Sequence, residues 1–158
     1  MEELKIVTNI QICAYNELSE VEKTLIDNAK AAAQKAYAPY SKFKVGASIL
    51  LENSVYVSGN NQENVAYPSG LCAERTAMFY ANARHPELCP QMIAIAAYTQ
   101  EGGFTEKAIS PCGACRQVLL ETENRYRHPI RVLLYGESEI MIVQSIKDLL
   151  PLGFTLCV

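Results

Sequence analysis

The sequence predicts an α/β fold, a three-layer α-β-α sandwich around a mixed central sheet of about five strands. Three observations carry this. A chain of 158 residues suits one compact core. Helix and strand signals run in the order helix, hairpin, helix, strand, helix, strands. That order places helices on both faces of one mixed sheet. The pattern contains no repeat, low-complexity tract or linker, so residues 19–158 form a single domain preceded by an extension over 1–18.

In the extension, Leu4, Ile6, Ile10 and Ile12 share one alternating face, the pattern of an edge strand. Residues 19–36 are predicted helical. Ser19 and Glu22 make an S-x-x-E capping box, Val21, Leu25, Ala29, Ala32 and Ala36 line one face, and Pro39 stops the helix. Strands follow over 44–51 and 55–60, joined by the turn Glu52-Asn53-Ser54 into an antiparallel hairpin. A polar loop with Pro68 and Gly70 leads to a helix over 72–84 that buries Met78 and Ala81. Pro86 and Pro90 break the chain, and the apolar run 92–98 is a central strand. After the Gly102-Gly103 loop come a helix over 113–124 and strands at 131–135 and 139–143. The link at Gly136 is so short that these two must be antiparallel. Ser145 caps a last short helix ending at Pro151.

Composition narrows the function. A net charge of −3, with no basic run, argues against a long polyanion and for a small ligand. No apolar run spans a bilayer and no secretory signal opens the sequence, so a cytoplasmic location is expected. Six cysteines in a reducing compartment stay thiols and call for metal binding or packing. Cys13, Cys89 and Cys157 stand alone and are assigned to packing or surface.

Cys72, Cys112 and Cys115 differ. Cys72-Ala73-Glu74-Arg75 and Pro111-Cys112-Gly113-Ala114-Cys115-Arg116 each open a helix, where outward N–H groups favour thiolate over thiol. The Cys112–Cys115 spacing puts two sulfurs on one side of a turn, able to share one ion. Three ligands leave a tetrahedral zinc one open position, as a catalytic site requires. His85 and His128 lie beside prolines in loops and are not placed as a fourth ligand. Glu74 stands where a carboxylate can move protons beside such a metal, although a carboxylate there can also serve only the helix start. Three thiolates overcompensate Zn²⁺, and Arg75 is the candidate to offset them by hydrogen bonding.

A ligand-x-Glu segment followed by P-C-x-x-C is a known deaminase pattern. With CAERTA over 72–77 and SPCGACRQ over 110–117, the chain resembles the small free-nucleoside cytidine deaminases of the zinc-dependent cytidine/deoxycytidylate deaminase superfamily. The likeness runs from Ala36 to Phe154 and includes AYAPYSKFKVGA, NQENVAYPSG and LLPLGF. It implies a cytidine deaminase-like fold and hydrolytic deamination of cytidine and 2'-deoxycytidine in pyrimidine salvage. It implies one Zn²⁺ per subunit, held by Cys72, Cys112 and Cys115, with Glu74 shuttling protons. Asn61 and Glu63 would bind the sugar hydroxyls, Phe43 would pack on the pyrimidine, and the Ala73 N–H and Ser110 carbonyl would contact the base. Phe154 would reach a neighbouring site in a homotetramer with active sites at subunit interfaces. Neither nucleic acid nor membrane is an expected partner.

Two departures stand out. Val65 replaces a common Ala and would narrow the sugar pocket, and the extension is longer than in many members. The rivals are a deaminase of another aminopyrimidine nucleoside, a non-catalytic zinc domain, which leaves Glu74 unexplained, and a redox Cys-x-x-Cys.

Overall fold

The computed structural model describes residues 1–156, so Cys157 lies outside the described residues. Six strands form one sheet in the order β1-β6-β5-β4-β2-β3, one more strand than the sequence predicts. Beyond those five stands β1 (Gln11–Cys13), at the edge position expected for the extension, where it pairs antiparallel with β6 (Ile140–Val143). Only these three residues of the extension enter the sheet, and Leu4, Ile6, Ile10 and Ile12 are all exposed.

Helix α1 (Glu20–Gln34) begins at Ser19, and both halves of the capping box with Glu22 are present. Its buried face is Leu25, Ile26, Ala29, Ala32 and Ala33, whereas Val21, expected inside, is 44% exposed. The stripe that faces the sheet begins at Glu22, and Val21 falls on its exposed flank. Strand β2 (Lys44–Leu51) forms the expected hairpin with β3 (Tyr56–Asn60). A Cβ on Gly46 would collide with the backbone of Ala29 and Ala33, so glycine lets α1 lie directly on the strand.

Helix α2 (Ala73–Arg84) buries Met78 and Ala81 as predicted, and it crosses β3 where Gly59 admits the Ala77 backbone. Strand β4 (Pro90–Tyr98) starts at Pro90, which the sequence reading treats as a breaker. A strand's first residue is one place a proline is tolerated. Helix α3 (Gly113–Tyr126) runs two residues past its expected end and closes on Arg127 in the left-handed conformation. Strand β5 (Arg131–Tyr135) is parallel to β4 and antiparallel to β6. The expected last helix is one 3-10 turn, Ile146–Asp148, capped by Ser145.

The sheet separates two cores. Leu25, Ile26 and Ala29 of α1 pack on Ala94, Ala96 and Leu133. Ala77 and Met78 of α2 and Leu119 of α3 pack on Ile49, Ile93 and Val132 on the other face. This is the three-layer sandwich read from the sequence. Strands β3 and β4 both run antiparallel to β2, and so parallel to each other. The chain leaves each by its carboxyl end, and the next helix to form is α2 in one case and α3 in the other. The two helix starts therefore meet at one end of the sheet, the place where open α/β sheets bind ligands. Among the described residues, no helix is long and apolar enough to cross a membrane.

Candidate active site

Cys72 is the N-cap of α2 and Cys112 the N-cap of α3, and neither side chain caps its own helix. Both sulfurs are thus free to point at a shared ligand. Cys72 Sγ lies 3.8 Å from Cys112 Sγ, which is 3.5 Å from Cys115 Sγ, and all three sulfurs fall within 4.8 Å of one another. Zinc–sulfur bonds of about 2.3 Å in a tetrahedron require sulfurs about 3.8 Å apart. The spacing fits, and three soft donors without an oxygen ligand suit zinc better than a hard cation. Among the described residues, these three are the only such cluster of metal-binding side chains, and neither half-buried histidine joins it.

The cluster has an asymmetric charge. Cys72 is drawn down to about 5, first by its hydrogen bond with the Cys115 thiol and then by the Arg75 guanidinium, against the opposing effect of burial. Cys115, wholly buried, is pushed up because it shares its proton with Cys72 and because burial disfavours its charge. Arg75 Nη2 stands 3.6 Å from Cys72 Sγ, and its Nε is buried without a partner. Glu74, 5% exposed in the first turn of α2, has its carboxyl raised above the ordinary range by burial and by the Cys72 thiolate.

Beside Cys72 and Arg75 opens a cavity of about 580 Å³ that also holds Tyr40, Asn61, Glu63 and Tyr67. Its floor is an extended segment between β3 and α2, bridged by Gln62 to Tyr37 on one side and to Leu71 on the other. Asn61 and Glu63, two residues apart on an extended chain, face the same way. Asn61 Oδ1 accepts from Val45 N at 2.7 Å and Nδ2 donates to the Phe43 carbonyl at 3.0 Å. Each group keeps one further hydrogen-bonding valence. Glu63 accepts from the Ser41 hydroxyl and from the Tyr40 N–H at 2.8 Å. The Ser41 hydrogen bond, ahead of all other causes, holds the Glu63 carboxyl below its ordinary range.

The structure thus brings Cys72, Cys112, Cys115, Glu74 and Arg75 together, with Asn61 and Glu63 in the adjoining cavity. Phe43 borders that group through its backbone. Ala73 is buried as the first helical residue of α2, where an N–H has no partner inside the helix. Ser110 is exposed, two residues before Cys112. Phe154 is elsewhere, 74% exposed beside a second cavity with Arg125 and Lys147. Val65 is 78% exposed and does not line the cavity, so it does not narrow it. Ser41 escaped sequence reasoning as a site residue. Ser41 meets Glu63 across 22 positions, and no local spacing signals such a pair.

Residues 19–127 match the family described as the cytidine and deoxycytidylate deaminase zinc-binding region. The chain is 40% identical over 136 residues to a cytidine deaminase of Sporosarcina psychrophila, covering 86% of this chain and 92% of that one. A cytidine deaminase of Halalkalibacterium halodurans is 42% identical over 131 residues, covering 83% and 92%. The crystal structure of cytidine deaminase from Burkholderia pseudomallei is similar with a TM-score of 0.70 and 40% identity, covering 83% of this chain and 97% of that one.

Proposed function

The chain belongs to the cytidine and deoxycytidylate deaminase family, and from that premise we propose that it hydrolyses cytidine and 2'-deoxycytidine to uridine and 2'-deoxyuridine, releasing ammonia, in pyrimidine salvage. The enzyme is a zinc-dependent hydrolase acting on a small molecule. The observation that carries the reading is the convergence of three sulfurs at zinc spacing on a buried glutamate, beside a cavity with sugar-binding chemistry.

Cys72, Cys112 and Cys115 would hold the metal, with Arg75 offsetting their excess charge, and a zinc ion held there would supply a nucleophilic water at neutral pH. Glu74 accepts a proton from the attacking water and passes it to the ring nitrogen next to the carbon under attack. It then carries the second proton to the departing amine, so one carboxylate serves both transfers in sequence. The Ala73 N–H and the Ser110 carbonyl orient the base, and Phe43 packs on its face. Asn61 offers its spare amide hydrogen to a sugar hydroxyl, and Glu63 accepts from another. The Glu63 carboxylate, ionised throughout the neutral range, repels a phosphate, so nucleotides react poorly.

Residues 19–158 make up the catalytic domain, with 1–18 as an extension that completes the sheet edge. A homotetramer fits the exposed position of Phe154, whose ring serves a neighbouring subunit's site. The reducing cytosol suits an enzyme whose ligand cysteines must stay reduced.

Purified protein of measured zinc content should bleach the cytidine absorbance band and release one ammonia per nucleoside. A zinc-loaded protein that leaves cytidine untouched but deaminates another aminopyrimidine nucleoside would replace the substrate. One that acts on none would be a structural zinc domain.

A further inference from the structure

We propose that Gln117 is a positioning residue for this reaction, acting by locking the backbone of Phe154 to the helix that carries Cys115. The proposal rests on the deaminase reading, in which the Phe154 ring helps enclose a nucleoside at a neighbouring site.

Phe154 is 74% exposed, so packing within its own chain does little to fix it. Its peptide, by contrast, is held at both polar groups. Gln117 Nε2 donates to the Phe154 carbonyl at 2.7 Å, and the Phe154 N–H donates to Gln117 Oε1 at 3.0 Å. One planar amide thus satisfies both backbone groups of a single residue, as a neighbouring strand would. A single bond would leave the peptide free to swing, whereas the pair sets the direction in which the Phe154 side chain leaves the backbone.

The anchor's own position ties the tail to the metal site. Gln117 lies two residues after Cys115 on α3. Its neighbour Arg116 spans the same two regions. Its Nε donates to the carbonyl of Pro111, just before Cys112, and Nη1 to the carbonyl of Leu149, both at 2.8 Å. One helical turn therefore holds the loop entering the metal site and both ends of the segment leading to Phe154.

The test uses the full-length, zinc-loaded enzyme. In Gln117→Ala, hydrogen exchange at the Phe154 amide should speed up by about tenfold or more. The KM for cytidine should rise several-fold, with kcat and zinc content changed by less than about twofold. Gln117→Glu keeps the acceptor but loses the donor, and should fall between the two. Phe154→Ala should raise KM by itself, and adding Gln117→Ala to it should raise KM no further, since the two act as one unit. Unchanged exchange at Phe154 would overturn the proposal. So would a KM rise of the same factor with and without the Phe154 ring. A zinc-loaded wild type inert toward cytidine would overturn the deaminase reading and the positioning role with it, and only that result touches the reading.

Discussion

Three thiolates carry more negative charge than one zinc ion cancels, and the residues around them can be weighed against that fact. Arg75 brings its guanidinium to 3.6 Å from Cys72 Sγ, close enough for a charge-assisted contact. In Arg75→Gln, zinc should leave faster to a chelator and turnover should fall by about tenfold or more, the range seen when partners of metal ligands are removed. Unchanged zinc retention together with unchanged turnover would return Arg75 to an ordinary helix residue. Glu74 poses a different question, because the proposed mechanism gives it the protons rather than the metal. Glu74→Ala should keep its zinc and lose at least about a hundredfold in kcat, the lower end of what a positioned acid–base group contributes. Substantial residual activity would remove Glu74 from the proton path. Both residues were legible in the sequence because they sit two and three positions after Cys72 at the start of the same helix. Gln117 was not, although the SPCGACRQ segment contains it, because its partner Phe154 is 37 positions away.

At the scale of elements, α1 shows how a local signal acquires a tertiary role. The S-x-x-E pattern marks its start, and Glu22 does return to the Ser19 N–H at 3.0 Å. The same carboxylate also pairs with Arg131 of β5 at 2.9 Å, clamping the helix onto the sheet. Burial alone would raise the Glu22 pKa, but the hydrogen bonds from Ser19 and the Arg131 charge outweigh it and leave it lowered. A lowered folded-state pKa means stability that is present above the ordinary carboxylate pKa of about 4.3 and is lost as pH falls through the folded value. Wild type should therefore melt above Glu22→Gln near neutral pH, and the gap should close on acidification below about pH 4. A gap independent of pH would show that the charge contributes nothing. The misread boundaries have physical reasons too. Val21 fits the helical period, but the buried stripe starts at Glu22 and runs through Leu25, Ile26 and Ala29, which leaves Val21 on its exposed flank. Pro90 is a breaker inside a strand yet acceptable as its first residue.

The whole molecule brings two distant motifs together. Cys72 and Cys112 are 40 positions apart, and their sulfurs meet because β3 and β4 run parallel on either side of β2 and release the chain at the same end of the sheet. Beyond the single chain, the proposed assembly would use the Phe154 ring, which is 74% exposed. Sedimentation at neutral pH should give about four times the chain mass, as the proposed tetramer requires. A monomer that turns over cytidine at full rate would show that the site is complete in one chain and that Phe154 serves no neighbour.

The sequence by itself determined the chemistry and the layers. The three-residue spacing of Cys112 and Cys115 and the two-residue step from Cys72 to Glu74 are local geometric statements, and so are the alternation of strands and the capping of a helix start. Each can be read within a few positions. The tertiary structure alone decided what depends on pairs far apart along the chain. The extent of β1 belongs here, since the alternation in the extension signals an edge strand but only Gln11–Cys13 pair with β6. The same holds for Ser41 on Glu63, Arg131 on Glu22 and Gln117 on Phe154. A hydrogen bond between distant residues exists only once the sheet has placed them within about 3 Å, and no spacing in the sequence encodes that approach.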